Sequence, residues 1–219
     1  MNKLELSNIK GAIFDLDGTL LDSMGIWAEI DAEFLKLRGI SSMPEDYVAH
    51  VTPMGFVESA EYTIQRFGLK ETLEEVLDEW HTMAVLAYQQ KIPLKPHAAA
   101  CLRALHQRGV KLALATASPR ELYAPALKHN GVYSLFSAFV TVDEVARAKE
   151  HPDIYLKAAE KLGLSPSECV VFEDIYIGIQ SAKKGGFYTI GVYDPFSAKE
   201  APLIMDEADL YIQGFDALL

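Results

Sequence analysis

The sequence predicts an α/β fold in which helices cover both faces of a parallel sheet and a helical unit is inserted after the first strand. Short apolar runs alternate with amphipathic, helix-length segments through the second half of the chain, as in βαβ architectures. A stretch of roughly 80 residues after the first run is almost wholly helical, which is far longer than a crossover connection requires. The 219 residues are 50% apolar, enough for one sizeable core and an appendage.

Five short apolar runs predict the buried strands of this sheet. They span residues 9–14, 110–115, 138–142, 169–172 and 188–192. Three segments between the later runs, 119–129, 152–162 and 175–184, have apolar residues at helical spacing. Pro119 and Pro152 stand where a first-turn proline is favoured.

The inserted helical stretch is predicted from repeated amphipathic stripes, such as Ile30, Phe34 and Leu37. We expect residues 1–19 and 97–219 to form the core and residues 20–96 to form a helical cap. Hinges are expected near residues 20–23 and 91–96.

Composition restricts the partners. The 31 acidic and 20 basic residues give a net charge of −11, which opposes binding to nucleic acid or to anionic membranes. No apolar run approaches the length of a membrane span or a signal peptide. Cys101 and Cys169 lack the spacing of a metal site and fit reduced, buried thiols. The expectation is a cytoplasmic protein; the sequence does not distinguish a monomer from a homodimer.

Two carboxylates follow the first predicted strand directly. Asp15 and Asp17 therefore lie at its carboxyl end, where open α/β sheets place their ligands. The first can act as a nucleophile, and the second can serve as acid and base while its backbone carbonyl faces a cation. Gly18 permits a tight turn, and the Thr19 hydroxyl can hold it.

Residues 15–23, Asp-Leu-Asp-Gly-Thr-Leu-Leu-Asp-Ser, resemble the first motif of the haloacid dehalogenase-like superfamily, specifically its phosphatase and β-phosphoglucomutase-like subgroup. The three other motifs of that family follow at later strand ends, so the resemblance covers residues 9–194. It implies a Rossmann-like three-layer core with strand order 3-2-1-4-5. It also implies a Mg²⁺ cofactor and a phosphorylated aspartate intermediate.

The second strand ends near Thr116, which matches the phosphate-holding Thr/Ser of the family. Ser118 and Glu121 form a capping-box pattern that would start a helix beside it, with free N–H groups that favour an anion. The resemblance implies that phosphate contacts Leu16, Asp17, Thr116 and Ala117, together with the lysine of the third motif.

Residues 149–155 are similar to that third motif. The resemblance assigns Lys149 as the cation that offsets the negative charges of the nucleophile and the phosphate. The fourth motif is similar to Glu173-Asp174. It implies a metal site in which Asp15, the Asp17 carbonyl and Asp174 bind Mg²⁺ and Glu173 reaches it through water. Asp174 also suits the N-cap of the following helix.

The implied reaction is hydrolysis of a small phosphorylated metabolite by attack of Asp15, with Asp17 and Lys149 also catalytic. A sugar-phosphate mutase of the β-phosphoglucomutase type is the alternative. A mutase must hold a second phosphate from the cap, but residues 51–56 contain no Lys or Arg. Glu150 and Ile175 replace the usual proline and serine of the motifs. These departures leave a catalytically weak phosphate-binding or regulatory protein as a further alternative.

The cap is expected to select the substrate. Aromatic and sulfur side chains near its ends are the candidates, and they are Met24, Trp27, Met54 and Phe56. If they face the substrate, it is less polar than a bare sugar phosphate.

Overall fold

A computed structural model of the chain describes residues 9–40, 42–51, 54, 56–147 and 149–219. Its centre is a six-stranded parallel sheet with strand order β3-β2-β1-β4-β5-β6. The strands are β1 (Gly11–Phe14), β2 (Lys111–Thr116), β3 (Phe136–Thr141), β4 (Cys169–Glu173), β5 (Tyr188–Val192) and β6 (Leu210–Ile212). The predicted α/β class and the order 3-2-1-4-5 are confirmed, and one strand is added.

The added strand, β6, was not predicted because it has only three residues and two of them are partly exposed. So short a run shows no recognisable period in the sequence. It lies at the edge of the sheet and pairs with β5 through Ile190 and Leu210. The central strand β1 is fully buried, and Phe14 stacks on Phe172 of β4 with ring centroids 4.3 Å apart.

The described residues divide into two compact units. One contains the described residues up to Met24 together with Ile92–Leu219, and the other is Gly25–Lys91. We call these the sheet unit and the helical unit. The division lies five residues from each predicted boundary. Segments 20–24 and 92–96 belong to the sheet unit because they pair with each other there: Asp22 N–H donates to Pro93 O (3.1 Å), and Lys95 N–H donates to Leu20 O (2.8 Å).

The helical unit contains α1 (Ile26–Leu37), α2 (Glu45–Val51), α3 (Phe56–Phe67) and α4 (Leu73–Gln90). Thr72 and Glu75 form a reciprocal capping box at the start of α4. Phe34 of α1 packs edge-on against the buried Trp80 of α4, with ring centroids 5.6 Å apart. The apolar stripe predicted in α1 therefore enters a core of the helical unit through Ile30 and Phe34, whereas Leu37, the third predicted member, is exposed.

The helices of the sheet unit are α5 (Ala98–Gln107), α6 (Arg120–His129), α7 (Asp153–Leu162), α8 (Tyr176–Lys184) and α9 (Ala201–Glu207). Pro119 and Pro152 occupy the N-cap positions, one residue before the predicted first turn. The predicted capping box at Ser118 is wrong, since α6 has no side-chain cap and the Ser118 hydroxyl bonds elsewhere. Asp174 likewise precedes the N-cap residue of α8, Ile175, and does not cap the helix.

Among the described residues, no helix is long and apolar enough to cross a membrane. The two cysteines are free and buried, as expected.

Candidate active site

The loop after β1 brings the first motif together. Asp15 N–H donates to Phe172 O (3.0 Å), which continues the pairing of β1 with β4 for one residue beyond the strand. The chain then turns at Gly18, whose φ of +80° favours glycine. A Cβ at Gly18 would also collide with the Asp174 carboxylate. Glycine is therefore required both by the backbone and by the approach of the fourth motif.

Lys149 connects the nucleophile candidate to β4. Its ammonium group donates to Asp15 Oδ1 and to Glu173 Oε1, the latter at 2.6 Å. Burial opposes the charge of Lys149, but the facing carboxylates of Asp15 and Glu173 outweigh it and raise the pKa of Lys149 well above its ordinary value. The lysine is therefore a fixed positive charge beside Asp15. Glu150 is exposed to solvent, and Lys149 makes its ion pairs with the two buried carboxylates.

Asp15, Glu173 and Asp174 form a buried acidic triad, each offering a carboxylate oxygen within 4.8 Å of the others. Thr19 holds Asp174 through a hydroxyl donated to Oδ1 at 2.7 Å. Burial raises the pKa of Asp15 to about 7, which Lys149 only partly offsets, and it raises the pKa of Asp174 well above its usual range.

The triad has the chemistry of a cation site. Glu173 Oε2 is buried and has no hydrogen-bond partner among the described residues. A buried carboxylate oxygen is normally satisfied by a protein group, water or an ion. An all-oxygen donor set of acidic groups suits a hard divalent ion. These residues therefore fit a metal such as Mg²⁺.

Asp17 has separate partners. Its Oδ1 accepts the Ser23 hydroxyl and its Oδ2 accepts the Ser118 hydroxyl, both at 2.6 Å. The Asp17 side chain is not one of the three that form the triad. The role predicted for Asp17 toward a metal remains that of its backbone carbonyl. The sequence did not indicate either serine as a partner of Asp17. Ser23 is the last residue of the first motif and Ser118 follows Thr116 by two residues, which was the available signal.

Thr116 ends β2 and is 1% exposed. Ser118 N–H donates to its Oγ1 at 2.9 Å, so the hydroxyl hydrogen can be given to an anion. Leu16 and Ala117 each lie in the loops that follow β1 and β2, where their backbone N–H groups are the predicted phosphate contacts. The two loops approach each other through the Ser118–Asp17 hydrogen bond.

Tyr155 is a site residue that the sequence did not single out. It is fully buried in the first turn of α7, and its hydroxyl donates to Glu173 Oε1 at 2.6 Å. Burial raises the pKa of Tyr155 well above its usual range, so the phenol stays protonated as a donor. It occupies the aromatic position of the third motif, which was the signal for it.

The four substrate-selecting candidates lie in different units. Met24 belongs to the sheet unit, and its Cγ would be 3.2 Å from a Cβ at Gly18, beside the catalytic loop. Trp27 and Phe56 belong to the helical unit, where they pack edge-on at 5.3 Å and are each 41% exposed. Met54 is partly buried in the same unit. Positions 52, 53 and 55 of the predicted cap loop lie outside the described residues.

The sequence profile of the haloacid dehalogenase-like hydrolases matches residues 9–186. This chain belongs to that family. Among curated relatives, phosphoglycolate phosphatase of Salmonella paratyphi A is 28% identical over all of this chain and 94% of its own length. The bifunctional riboflavin kinase/FMN phosphatase of Arabidopsis thaliana is 32% identical over 82% of this chain and 47% of that protein.

Solved structures with the same fold include two bacterial proteins. A Thermotoga maritima protein assigned as a β-phosphoglucomutase superimposes with a TM-score of 0.84, at 25% identity over 96% of this chain and 97% of its own. CbbY from Rhodobacter sphaeroides, solved with phosphate, superimposes with a TM-score of 0.74 over 96% of each chain. At 23% identity, this likeness shows the fold alone. The predicted family and the predicted enzyme class, a phosphatase, are confirmed. The substrate is a separate question.

Proposed function

We propose that this hydrolase is a Mg²⁺-dependent phosphomonoesterase that acts on a small phosphorylated metabolite through an aspartyl-phosphate. One observation supports this above the others: Asp15, a member of the buried acidic triad, forms an ion pair with Lys149. A nucleophilic carboxylate needs neighbouring positive charge before it can approach an anionic phosphate.

In the proposed first step, a carboxylate oxygen of Asp15 bonds to phosphorus and the bond from phosphorus to the alcohol oxygen breaks. Asp17 gives its proton to the departing oxygen. In the second step, Asp17 takes a proton from water as the water oxygen bonds to phosphorus. The bond from phosphorus to Asp15 breaks, releasing phosphate. Ser23 and Ser118 suit both forms of Asp17, because a hydroxyl can donate or accept.

The chain's own groups divide the remaining work. Lys149 holds Asp15 and its charge faces the transferred group, while Thr116 and the N–H groups of Leu16 and Ala117 bind the phosphate oxygens. Asp15, Asp174 and the Asp17 carbonyl would hold Mg²⁺, with Glu173 reaching it through water. When bound, the ion supplies positive charge that neutralises the phosphate oxygens.

Charge in the helical unit supports hydrolysis over phosphate transfer within a bisphosphate. Residues 25–91 contain 12 acidic and five basic residues, a net charge of −7 out of −11 for the whole chain. Arg38 is paired with Glu71 and Glu79. A mutase must hold a second phosphate, and an acidic unit opposes that. We further propose that Met24, Trp27, Met54 and Phe56 contact the alcohol part of the substrate, and that the helical unit acts as the cap.

The test is phosphate release from a panel of phosphorylated metabolites, with and without Mg²⁺. Asp15→Asn is expected to abolish release while leaving the unfolding midpoint close to the wild-type value, because the amide keeps the shape and loses the nucleophile. Asp143→Asn is the matched control, since Asp143 is an exposed aspartate two residues after the end of β3. Near-normal turnover by Asp15→Asn contradicts the scheme.

The two alternatives have distinct outcomes in the same assays. Conversion of a sugar 1-phosphate into its 6-phosphate without free phosphate would identify a mutase. Tight binding of phosphate and Mg²⁺ in calorimetry, without turnover of any panel member, would identify a binding or regulatory protein.

A further inference from the structure

The Glu173 side chain is held from three sides. Its Oε1 accepts hydrogen bonds from Tyr155 and Lys149, both at 2.6 Å. On another side, a Cβ at Gly178 would lie 2.6 Å from Glu173 Cδ and 2.9 Å from Oε2, so only glycine allows the carboxylate to rest there. The other oxygen, Oε2, has no partner among the described residues. The protein thus saturates one carboxylate oxygen and leaves the other for a ligand.

Tyr155 is suited to fix an orientation. The residue is 0% exposed, and its ring packs edge-on against Phe187 at 6.3 Å within the core between α7 and the sheet. A ring held in this way has little freedom, so the position of its hydroxyl is set by the core. Lys149, by contrast, carries its ammonium group on a long unbranched side chain, and Asp15 and Glu173 share that group.

Without the phenol, Lys149 would be the only described donor to Glu173 Oε1. The carboxylate could then rotate about its terminal torsion, which is broad and weakly restrained. Its remaining described partner at Oε1 would be the ammonium group that also holds Asp15. The Tyr155 hydroxyl therefore adds a second donor, set by the core, that fixes the orientation of Glu173.

We propose that Tyr155 is a positioning residue: its hydroxyl holds Glu173 so that the free carboxylate oxygen completes the Mg²⁺ site. This inference rests on the proposed Mg²⁺ dependence. Tyr155 contacts neither substrate nor reacting atoms in this scheme and acts through Glu173.

The experiment measures Mg²⁺ binding to the full chain without substrate, by titration calorimetry and by the Mg²⁺-dependent shift of the unfolding temperature. Outer-shell partners of metal ligands typically contribute 10- to 100-fold in metal affinity. Tyr155→Phe keeps the ring and removes the hydroxyl, so we expect the Kd for Mg²⁺ to rise by about that factor. In turnover assays, the Mg²⁺ concentration needed for half-maximal rate should rise by more than kcat falls.

Tyr47→Phe is the matched control. Tyr47 is also fully buried with a bonded hydroxyl, 2.7 Å from Thr63 Oγ1, but it lies in the helical unit. Its Kd for Mg²⁺ should equal that of the wild type. In a Glu173→Gln background, adding Tyr155→Phe should change the Kd for Mg²⁺ less than twofold, because the carboxylate through which Tyr155 acts is already absent.

Gly178→Ala would place a Cβ against the same carboxylate and should also weaken Mg²⁺ binding, which keeps a test available if Tyr155→Phe fails to fold. A Kd unchanged within twofold in Tyr155→Phe overturns the positioning role alone. A wild-type chain that does not bind Mg²⁺ overturns the Mg²⁺ dependence of the proposed function as well.

Discussion

Asp31 provides a quantitative test of the electrostatics of the helical unit. It lies in α1, is 9% exposed, and accepts a hydrogen bond from Tyr47. Burial raises the pKa of Asp31 to about 7, against 3.8 in the unfolded chain, and the Tyr47 hydroxyl offsets only part of that. Folding therefore favours the protonated form of this carboxyl.

The sign and size of the effect follow from linkage. Between pH 4 and pH 7 the folded chain holds a proton on Asp31 that the unfolded chain has released, so the free energy of unfolding decreases as pH rises. A difference of about three pKa units corresponds to roughly 4 kcal/mol, all of it lost above pH 7. Below pH 4 both states are protonated and the effect disappears. Asp31→Asn is neutral throughout, so we expect it to be more stable than wild type above pH 7, by up to about 4 kcal/mol.

Urea unfolding of wild type and Asp31→Asn at pH 5 and pH 8 measures this. The advantage of the variant should be about 2–3 kcal/mol larger at pH 8 than at pH 5. Asp78→Asn, an exposed aspartate on α4, should change stability by less than about 0.5 kcal/mol at either pH. An Asp31→Asn chain that is no more stable than wild type at pH 8 would refute the reasoning, as would a gain equal at both pH values.

Three further predictions concern the active site. Lys149→Met should lower kcat for phosphate release by about 10²- to 10³-fold, because it removes the charge beside Asp15, with chain integrity checked by circular dichroism. Ser118→Ala should lower kcat by about tenfold with little change in KM, since it removes one of the hydrogen bonds that hold the Asp17 carboxylate and leaves the binding groups in place; Ser167→Ala, at an exposed serine, is its control. Removal of divalent ions with a chelator should abolish turnover and lower the unfolding temperature, and added Mg²⁺ should restore both, because binding to the folded state stabilises it. Retained turnover after chelation, or an unchanged rate in either variant, would count against the corresponding role.

Elements with strong local patterns were predictable from the sequence. The predicted run 188–192 coincides with β5 at both ends. Its five residues include β-branched ones, and clear turn signals stand before and after them. The short edge strand β6 was not predictable, because pairing with β5 stabilises it and three residues carry no period. Local pattern thus identifies strands of four to six residues, including the edge strand β3, whereas the three-residue strand β6 depends on pairing with β5.

At the site, the motifs predicted which residues meet but not how they bond. Ser118 illustrates this, because its spacing to Glu121 favours a helix cap, yet the Asp17 carboxylate 101 residues away captures the hydroxyl. The hydroxyl donates to this charged acceptor in a strong hydrogen bond, which turns the Ser118 side chain toward Asp17 and away from the N–H groups of the helix. The hydrogen bond from Tyr155 to Glu173 was likewise not predictable, since the motif specifies an aromatic residue and says nothing of the partner of its hydroxyl.

Charge balance accounts for the composition of the site. Asp15, Glu173 and Asp174 carry three negative charges when ionised, and Lys149 supplies one positive charge, which leaves −2 in a buried region. Burying uncompensated charge is unfavourable, so burial raises the pKa of Asp15 and of Asp174 when no further cation is present. One divalent ion balances that charge and a monovalent ion does not. Lys149→Met would leave a charge of −3 at the same place, so the variant should bind a divalent ion more tightly while its rate of phosphate release falls. If both the ion affinity and the rate fall, Lys149 contributes mainly by holding the carboxylates in position and less by its charge.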